Sequence, residues 1–188
     1  MNAFLGPKKG ELFCGDRYLV KQTDKGTLYV VIDAIGHGKE ASRIAEIALQ
    51  SIENNIHMEL ENIIEACNSA LLNTRGAVIC FVFHLPQHNK AYYYCLGNIS
   101  CLLISPSRVM KLNAIPGILG QKKRTVTLSE VAIKREDMLL MFTDGAEEIK
   151  VDTYTQIQKM NSRHIVNNLS NKWSGQDDMC CICQPLYE

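Results

Sequence analysis

Residues 28–42 read LYVVIDAIGHGKEAS, an apolar run that ends in an aspartate and is followed at once by a histidine between two glycines. The run is typical of a buried strand, and from Lys39 onward apolar residues recur at helical spacing. The stretch therefore predicts a strand, a tight glycine-containing loop and a helix, with Asp33 where the strand ends. A solitary aspartate there can be an ordinary turn residue, so its function depends on whether other acidic residues join it.

The elements on either side of this stretch are a hairpin and a pair of helices. RYLVKQ (17–22) and TLYVVID (27–33) flank TDKG, which predicts a β-hairpin with a tight turn. Two amphipathic helices are expected next, because apolar residues recur on one helical face in each. The first face is Ala41, Ile44, Ala45, Ala48 and Ile52, and the second is Leu60, Ile63, Ile64, Cys67 and Leu71.

Most of the remaining chain reads as antiparallel strands, with one helical region and one irregular connection. A Gly- and Lys-rich connection is expected at 115–124, residues from about 146 to 169 are expected to be mostly helical, and a last strand begins near Asp178. The other predicted strands are GAVICFVFHL (76–85), KAYYYCLGN (90–98), a hairpin within ISCLLISPSRVMKL (99–112), TVTLSEVAI (125–133) and DMLLMFTD (137–144).

These elements indicate an α+β fold in a single domain. Grouped antiparallel strands interrupted by helix pairs favour layers, a sandwich of two mainly antiparallel sheets flanked by helices. The chain has 188 residues, a length that suits one domain, and no linker, repeat or low-complexity segment divides it. We therefore expect residues 1–188 to form one compact domain.

Composition excludes several classes of function. The 20 basic residues balance 20 acidic ones, so nothing suggests a nucleic-acid or membrane surface that relies on net charge. The start, MNAFLGPKKGELF, lacks the apolar core of a signal peptide, and no later run is long enough for a membrane span. A cytoplasmic protein is expected, with its eight cysteines reduced and used for packing.

Three of the cysteines, Cys180, Cys181 and Cys183, contain the CxxC spacing of zinc sites. A structural zinc site needs four ligands, and the sequence has no second pair of this kind. A strand buried on both faces explains the cluster instead. In such a strand Cys181 and Cys183 face one side, while Cys180 and Ile182 face the other.

Four aspartates lie where predicted strands begin or end. Asp33 and Asp144 follow apolar runs, whereas Asp16 and Asp177 precede the first and last predicted strands. The hairpin brings Asp16 beside Asp33, and all four could meet at one rim of the sheets. Each of them alone could be a turn or surface residue, but together they suggest an acidic site for magnesium or manganese, which prefer oxygen ligands.

Six short motifs occur in an order and spacing that resemble one enzyme family. They are GD at 15–16, DAIGHG at 33–38, RGA at 75–77, GN at 97–98, TDG at 143–145 and DDM at 177–179. The chain resembles the metal-dependent type 2C (PPM) serine/threonine protein phosphatases, especially the compact bacterial branch that includes SpoIIE and RsbX. This resemblance implies an α-β-β-α sandwich and covers nearly the whole chain.

The resemblance also implies roles for individual residues. Asp33 would be the catalytic residue that bridges two manganese or magnesium ions, with the Ala34 carbonyl as a further ligand. Asp16, Asp144 and Asp177 would complete the metal site, and Asp178 would be a neighbour. His37 is a candidate general acid, because the unperturbed pKa of a histidine side chain lies near neutrality. The histidine of the corresponding family motif lies nearer the aspartate, however, so a loop-shaping role is favoured over a catalytic one.

The implied reaction is hydrolysis of a phosphoserine or phosphothreonine on a protein. A water or hydroxide that bridges the two ions would attack phosphorus directly, without a covalent phosphoenzyme. By the same resemblance, the substrates would be phosphorylated STAS-domain proteins of the stressosome, RsbS and RsbR. The enzyme would then act as a negative regulator that resets the general stress response.

Two other interpretations compete with a phosphatase. GHGKEA fits the G-x-G-x-x-A pattern of a dinucleotide-binding oxidoreductase, but a second helix follows where a parallel strand is required, and three of the aspartates stay unexplained. The chain could instead be a noncatalytic binding module that keeps the fold without metal. All four proposed acidic ligands are present, which argues against that loss.

Overall fold

The computed structural model describes residues 1–122, 125–146, 149–150 and 153–187. Its helices are α1 (Gly38–Asn54), α2 (Leu60–Ala70), α3 (Tyr154–Ile157) and α4 (Ser162–Lys172). Its strands are β1 (Asn2–Gly6), β2 (Asp16–Gln22), β3 (Thr27–Ala34), β4 (Ala77–Leu85), β5 (Lys90–Leu96), β6 (Ser100–Ser105), β7 (Arg108–Lys111), β8 (Ala114–Ile115), β9 (Ser129–Ala132), β10 (Met138–Phe142) and β11 (Met179–Pro185).

The strands form two sheets. One has the order β1-β11-β10-β6-β7, and the other has the order β2-β3-β4-β5-β8 with β9 also paired to β5. We call them the five-stranded and six-stranded sheets. Their pairings are antiparallel except for the short parallel contact between β5 and β8.

The two sheets and the helices on their outer faces form four layers, with a cluster of buried apolar residues between each neighbouring pair. The first lies between α1, α2 and the six-stranded sheet, the second lies between the two sheets, and the third lies between the five-stranded sheet and α3 and α4. Phe81 on β4 is among the largest fully buried side chains of the first cluster. This arrangement confirms the α-β-β-α sandwich with mainly antiparallel sheets.

The elements nearest the opening stretch follow the predicted pattern. β2 and β3 form the hairpin, and the backbone N–H of Thr23 donates to the Gly26 carbonyl at 2.8 Å in its turn. Helices α1 and α2 bury the two predicted apolar faces against the six-stranded sheet. Within the described residues, no helix has the length and apolar character that a membrane crossing requires.

Several elements differ from the sequence-based expectation. β1 was not predicted, because its five residues at the edge of a sheet show no alternation, and its pairing with β11 is a contact between the two ends of the chain. β9 is shorter than the predicted strand at 125–133. The expected helical region contains only α3 and α4, and part of it, residues 147–148 and 151–152, lies outside the described residues.

The cysteines were predicted to be reduced, and for two of them this is wrong. Cys80 and Cys95 lie opposite each other on β4 and β5 and form a disulfide. The three cysteines of β11 behave as predicted. Cys181 and Cys183 pack in the cluster against α4, while Cys180 packs between the sheets together with Ile182.

A buried histidine makes the stability of the fold depend on pH. His84 on β4 is only 2% exposed, and its Nε2 has no hydrogen-bond partner among the described residues. Burial lowers the pKa of His84 below its ordinary value of 6.5. As pH falls below that value, the unfolded chain therefore binds a proton at this residue more readily than the folded chain, and the free energy of unfolding falls.

We expect His84→Gln to weaken the loss of stability between about pH 7.5 and pH 5.5, because the variant has no imidazole to protonate. Urea denaturation at several pH values measures this slope for the variant and the unmodified chain. His88→Gln is the matched control, since His88 is exposed in the turn that follows β4. Equal slopes for all three proteins would contradict the assignment.

Candidate active site

The four aspartates are delivered by adjacent strand ends in both sheets. Asp16 opens β2 and pairs directly with Asp33 near the end of β3. Asp144 follows β10 by two residues, and Asp177 precedes the neighbouring strand β11 by two. Asp33, Asp144 and Asp177 line one open cleft of about 510 Å³.

Burial and the charges of neighbouring carboxylates raise the pKa values of Asp16, Asp33 and Asp144, and the charge of Asp177 contributes at Asp33 and Asp144. Burial, then the charge of Asp33, raises the pKa of Asp16 well above its ordinary range. Burial, then the charges of Asp144, Asp177 and Asp178, raises the pKa of Asp33 to about 7. The crowded carboxyl groups therefore disfavour one another's ionisation, and burial strengthens this effect.

This donor set fits a hard divalent cation. It offers several carboxylate oxygens around one cleft, which is the ligand chemistry that magnesium and manganese prefer. Burial raises the pKa of Asp144, and the charge of Asp177 adds to the effect. A bound cation would offset the repulsion that, after burial, contributes to these shifts.

Ala34 occupies the last position of β3, directly after Asp33. Its backbone N–H donates to the Gly15 carbonyl at 3.2 Å, and its φ lies outside the left-handed region that favours glycine. An alanine is therefore compatible with the local backbone. The role of its carbonyl as a metal ligand stays a prediction.

Two polar side chains orient the carboxylates, and sequence reasoning assigned neither of them a role. Thr143 is buried, donates its hydroxyl to Oδ2 of Asp16 at 2.7 Å, and accepts the backbone N–H of Cys180 at 2.9 Å. Asn98 donates its side-chain amide to Oδ2 of Asp144 at 2.6 Å. Both residues lie within the quoted TDG and GN motifs, so their position beside the aspartates was the available signal.

Asp178 has a structural role that distinguishes it from its neighbour Asp177. Its Oδ1 accepts the backbone N–H of Lys8 at 2.7 Å, and its Oδ2 accepts the backbone N–H of Gly15 at 2.7 Å. Both oxygens are thus used to fix the segment that precedes β2. Its place as a neighbour of the metal site stays a prediction.

Arg17 fixes the same segment from the side of the helices. Its Nη1 donates to the carbonyls of Cys14 and Asp16 at 2.8 and 2.7 Å, while its Nη2 donates to the Ser42 hydroxyl at 2.8 Å. The backbone at Asp16 is therefore held between β11 and α1. Sequence alone gave no signal for this contact, because Ser42 lies 25 positions away.

His37 lies in the loop between β3 and α1, at the border of the cleft. Its Nδ1 is 2.7 Å from Oε1 of Glu11, so the histidine joins the loop to the N-terminal segment. Gly36, the preceding residue, has a φ of 101°. A Cβ atom at this position would lie only 2.6 Å from Nη1 of Arg75, so the loop leaves no room for a side chain there. These contacts support the loop-shaping role of His37, which stays a prediction.

Comparison with known families identifies this architecture. A sequence model of the family described as "Stage II sporulation protein E (SpoIIE)" matches residues 23–183. The chain belongs to the SpoIIE family. As a member of that family, it is a metal-dependent protein serine/threonine phosphatase, as its motifs predicted.

The similarity of this SpoIIE-family chain to its relatives extends over nearly its full length. Phosphoserine phosphatase RsbX of Bacillus subtilis (strain 168) is 27% identical over 183 residues, which cover 95% of this chain and 90% of RsbX. A crystal structure of RsbX in complex with magnesium is 26% identical, with a TM-score of 0.84 over 96% of this chain and 92% of that one.

More distant structures share the fold. The phosphatase domain of SpoIIE from Bacillus subtilis has a TM-score of 0.85 at 18% identity, and it covers 99% of this chain and 62% of that one. The dinucleotide-binding alternative is wrong for this SpoIIE-family fold. That alternative requires a parallel strand after the helix, whereas β4 pairs antiparallel with β3.

Asp33→Asn should have two effects on stability. The metal-free variant should be more stable than the metal-free unmodified protein, and manganese should raise the stability of the variant much less. Above about pH 7 the unmodified Asp33 is ionised at a cost in the folded state, and asparagine removes that cost. We expect the metal-free variant to melt a few degrees higher at about pH 8, since roughly 1 kcal/mol changes Tm by 2–4 °C at this size. The difference should shrink as pH falls towards about 5, because Asp33 then holds its proton.

Thermal unfolding with and without manganese measures both effects of Asp33→Asn. Asp24→Asn is the control, because Asp24 is an exposed aspartate in the β2–β3 turn and should change neither value. Full stabilisation of Asp33→Asn by manganese would contradict its assignment as a ligand.

Thr143→Val should weaken manganese binding by roughly 10-fold, because residues that orient metal ligands typically contribute that much or more. Trp173 is the only tryptophan, and its Nε1 donates to the Asp177 carbonyl at 3.0 Å, so its fluorescence should report binding in the cleft. Thr143→Ser keeps the hydroxyl and should keep most of the affinity. Equal affinities for the valine and serine variants would show that the bond to Asp16 has no such role.

Proposed function

We propose that the acidic cleft hydrolyses phosphoserine or phosphothreonine on a protein substrate with the aid of two manganese or magnesium ions. The observation that carries this proposal is the crowding of acidic side chains at the cleft: burial, then the charges of Asp144, Asp177 and Asp178, raises the pKa of Asp33 to about 7. Asp33 would be the catalytic residue that bridges the ions. Asp16, Asp144, Asp177 and the Ala34 carbonyl would be the remaining protein ligands.

Bound divalent cations would make a water acidic enough to lose a proton near neutral pH and would neutralise charge on the phosphoryl oxygens. The chain's own residues provide the orientation. Thr143 and Asn98 hold Asp16 and Asp144 through hydrogen bonds, and the glycine at position 36 keeps side-chain bulk out of the loop that lines the cleft. The reaction would then transfer phosphate directly to water.

The cysteine that precedes Asp16 by two positions is poorly suited to act as a nucleophile. Cys14, two positions before Asp16, is buried, and burial together with the charge of Asp16 raises the pKa of its thiol to about 12. Such a thiol is protonated at neutral pH and is therefore a poor nucleophile. This supports hydrolysis without a covalent phosphoenzyme.

Arg75 provides a positive charge that suits a phosphorylated substrate. Its guanidinium packs against Gly36, a residue that lines the cleft, and its charge acts on Glu40 at the start of α1. An arginine in this position can attract a phosphate group towards an otherwise acidic site. We assign it that role in substrate binding.

The proposed substrates are phosphorylated STAS-domain proteins of the stressosome, such as RsbS and RsbR. Support comes from the similarity to the phosphoserine phosphatase RsbX over 95% of this chain. A structure described in work on the bacterial stressosome is also 29% identical, with a TM-score of 0.85 over 97% of this chain and 96% of that one. We further propose that residues 1–188 form a single cytoplasmic domain that acts as a negative regulator of the general stress response.

Purified protein should release phosphate from a phosphoserine-bearing STAS-domain protein in manganese and should release none in excess EDTA. Asp33→Asn should lower the rate at least about 100-fold while it keeps the fold, because a bridging ligand is lost. Release of inorganic phosphate measures the rate, and circular dichroism checks the fold. Acid-quenched single turnovers should show no phosphate bound to the enzyme.

Two outcomes would overturn this proposal. A folded protein that neither binds manganese nor releases phosphate would be a noncatalytic binding module with a phosphatase fold. A normal rate for Asp33→Asn would show that the cleft is not the site of hydrolysis.

A further inference from the structure

The segment before β2 exposes large apolar side chains to solvent. We call residues 7–15 the rim loop. Leu12 is 89% exposed and Phe13 is 46% exposed, which makes Leu12 the most exposed of the large apolar residues in the described chain. A single exposed leucine is ordinary, but two successive large apolar side chains on one loop are a candidate contact surface.

The rim loop is held in place along its length. Asp178 accepts the backbone N–H groups of Lys8 and Gly15, which lie near its two ends. The N–H of Lys9 donates to the Gly175 carbonyl at 2.9 Å, and a backbone bond of the same length joins Glu11 to the Lys8 carbonyl. Leu12 and Phe13 are therefore presented by an anchored loop, so binding a partner there costs little ordering entropy.

The rim loop also borders the acidic cleft. Glu11 contacts His37, which lines the cleft, and Gly15 at the end of the loop is followed directly by Asp16. A second segment at the cleft shows the same feature. Ile115 is 45% exposed and immediately precedes Pro116, another residue of the cleft lining.

We propose that Leu12, Phe13 and Ile115 form a docking surface for the folded phosphoprotein substrate. This inference rests on the proposed function, because a phosphoserine that enters the cleft brings its own protein surface against the bordering segments. Apolar side chains buried there would supply binding energy that a small phosphate ester cannot obtain. The formal net charge of 0 favours such local contacts over long-range electrostatic attraction.

The test compares a protein substrate with a small one. For Leu12→Ser and for the double variant Leu12→Ser/Phe13→Ser, kcat/KM on a phosphoserine-bearing STAS-domain protein should fall about 10-fold, mainly through KM. Hydrolysis of p-nitrophenyl phosphate should stay within about 2-fold of the unmodified enzyme, because neither Leu12 nor Phe13 lines the cleft that would hold this ester. Met58→Ser is the matched control, since Met58 is 43% exposed between α1 and α2.

Other outcomes would overturn the docking surface. An equal loss on both substrates would show that the rim loop supports the cleft, and unchanged kinetics on both would show that it makes no substrate contact. If the unmodified chain is a dimer that the variants dissociate, the occupant is a second copy of the chain. If the unmodified enzyme releases phosphate from neither substrate, the proposed function itself fails, whereas an active enzyme with unaffected variants refutes only the docking surface.

Discussion

Repulsion among four carboxylates is the constraint on which the rest of this structure depends. Asp16 and Asp33 lie directly opposite each other in an antiparallel pair, where like charges are ordinarily destabilising. The fold tolerates this because β3 is held between β2 and β4 and its apolar residues are buried on both faces. The strand is thus stabilised by packing, and its end can carry a charge that local interactions alone would disfavour.

The site exists only when the two sheets are packed together. The six-stranded sheet supplies Asp16 and Asp33, while the five-stranded sheet supplies the strand ends next to Asp144 and Asp177. The hydrogen bond from Thr143 to Asp16 joins the two sheets across 127 positions of sequence. A cation bound in the cleft would therefore stabilise the packing of the sheets as well as the individual carboxylates, since a ligand of the folded state shifts the folding equilibrium.

Features that depend on residues close together in the sequence could be predicted, whereas those that depend on distant residues could not. The hairpin and the two helical faces follow from residues within a few positions, so the pairing of Asp16 with Asp33 was predictable. The strand β1 and the role of Asp178 were not, because they depend on partners from the other end of the chain. Shared strand-end position indicated that the four aspartates could meet at one rim, but the hydroxyl and amide groups that orient Asp16 and Asp144 became evident only in three dimensions.

The adjacent residues Asp177 and Asp178 show how the fold couples its candidate site to the rim loop. Asp177 lines the cleft, whereas both oxygens of Asp178 accept backbone N–H groups from the rim loop. These two hydrogen bonds occupy both carboxylate oxygens of Asp178, so this side chain serves to position the rim loop. Asp177 and Asp178 are consecutive residues just before β11. A displacement of that strand end would therefore move both a side chain of the cleft and the anchor of the rim loop. The position of the apolar rim is therefore set by the same element that places one of the four acidic side chains.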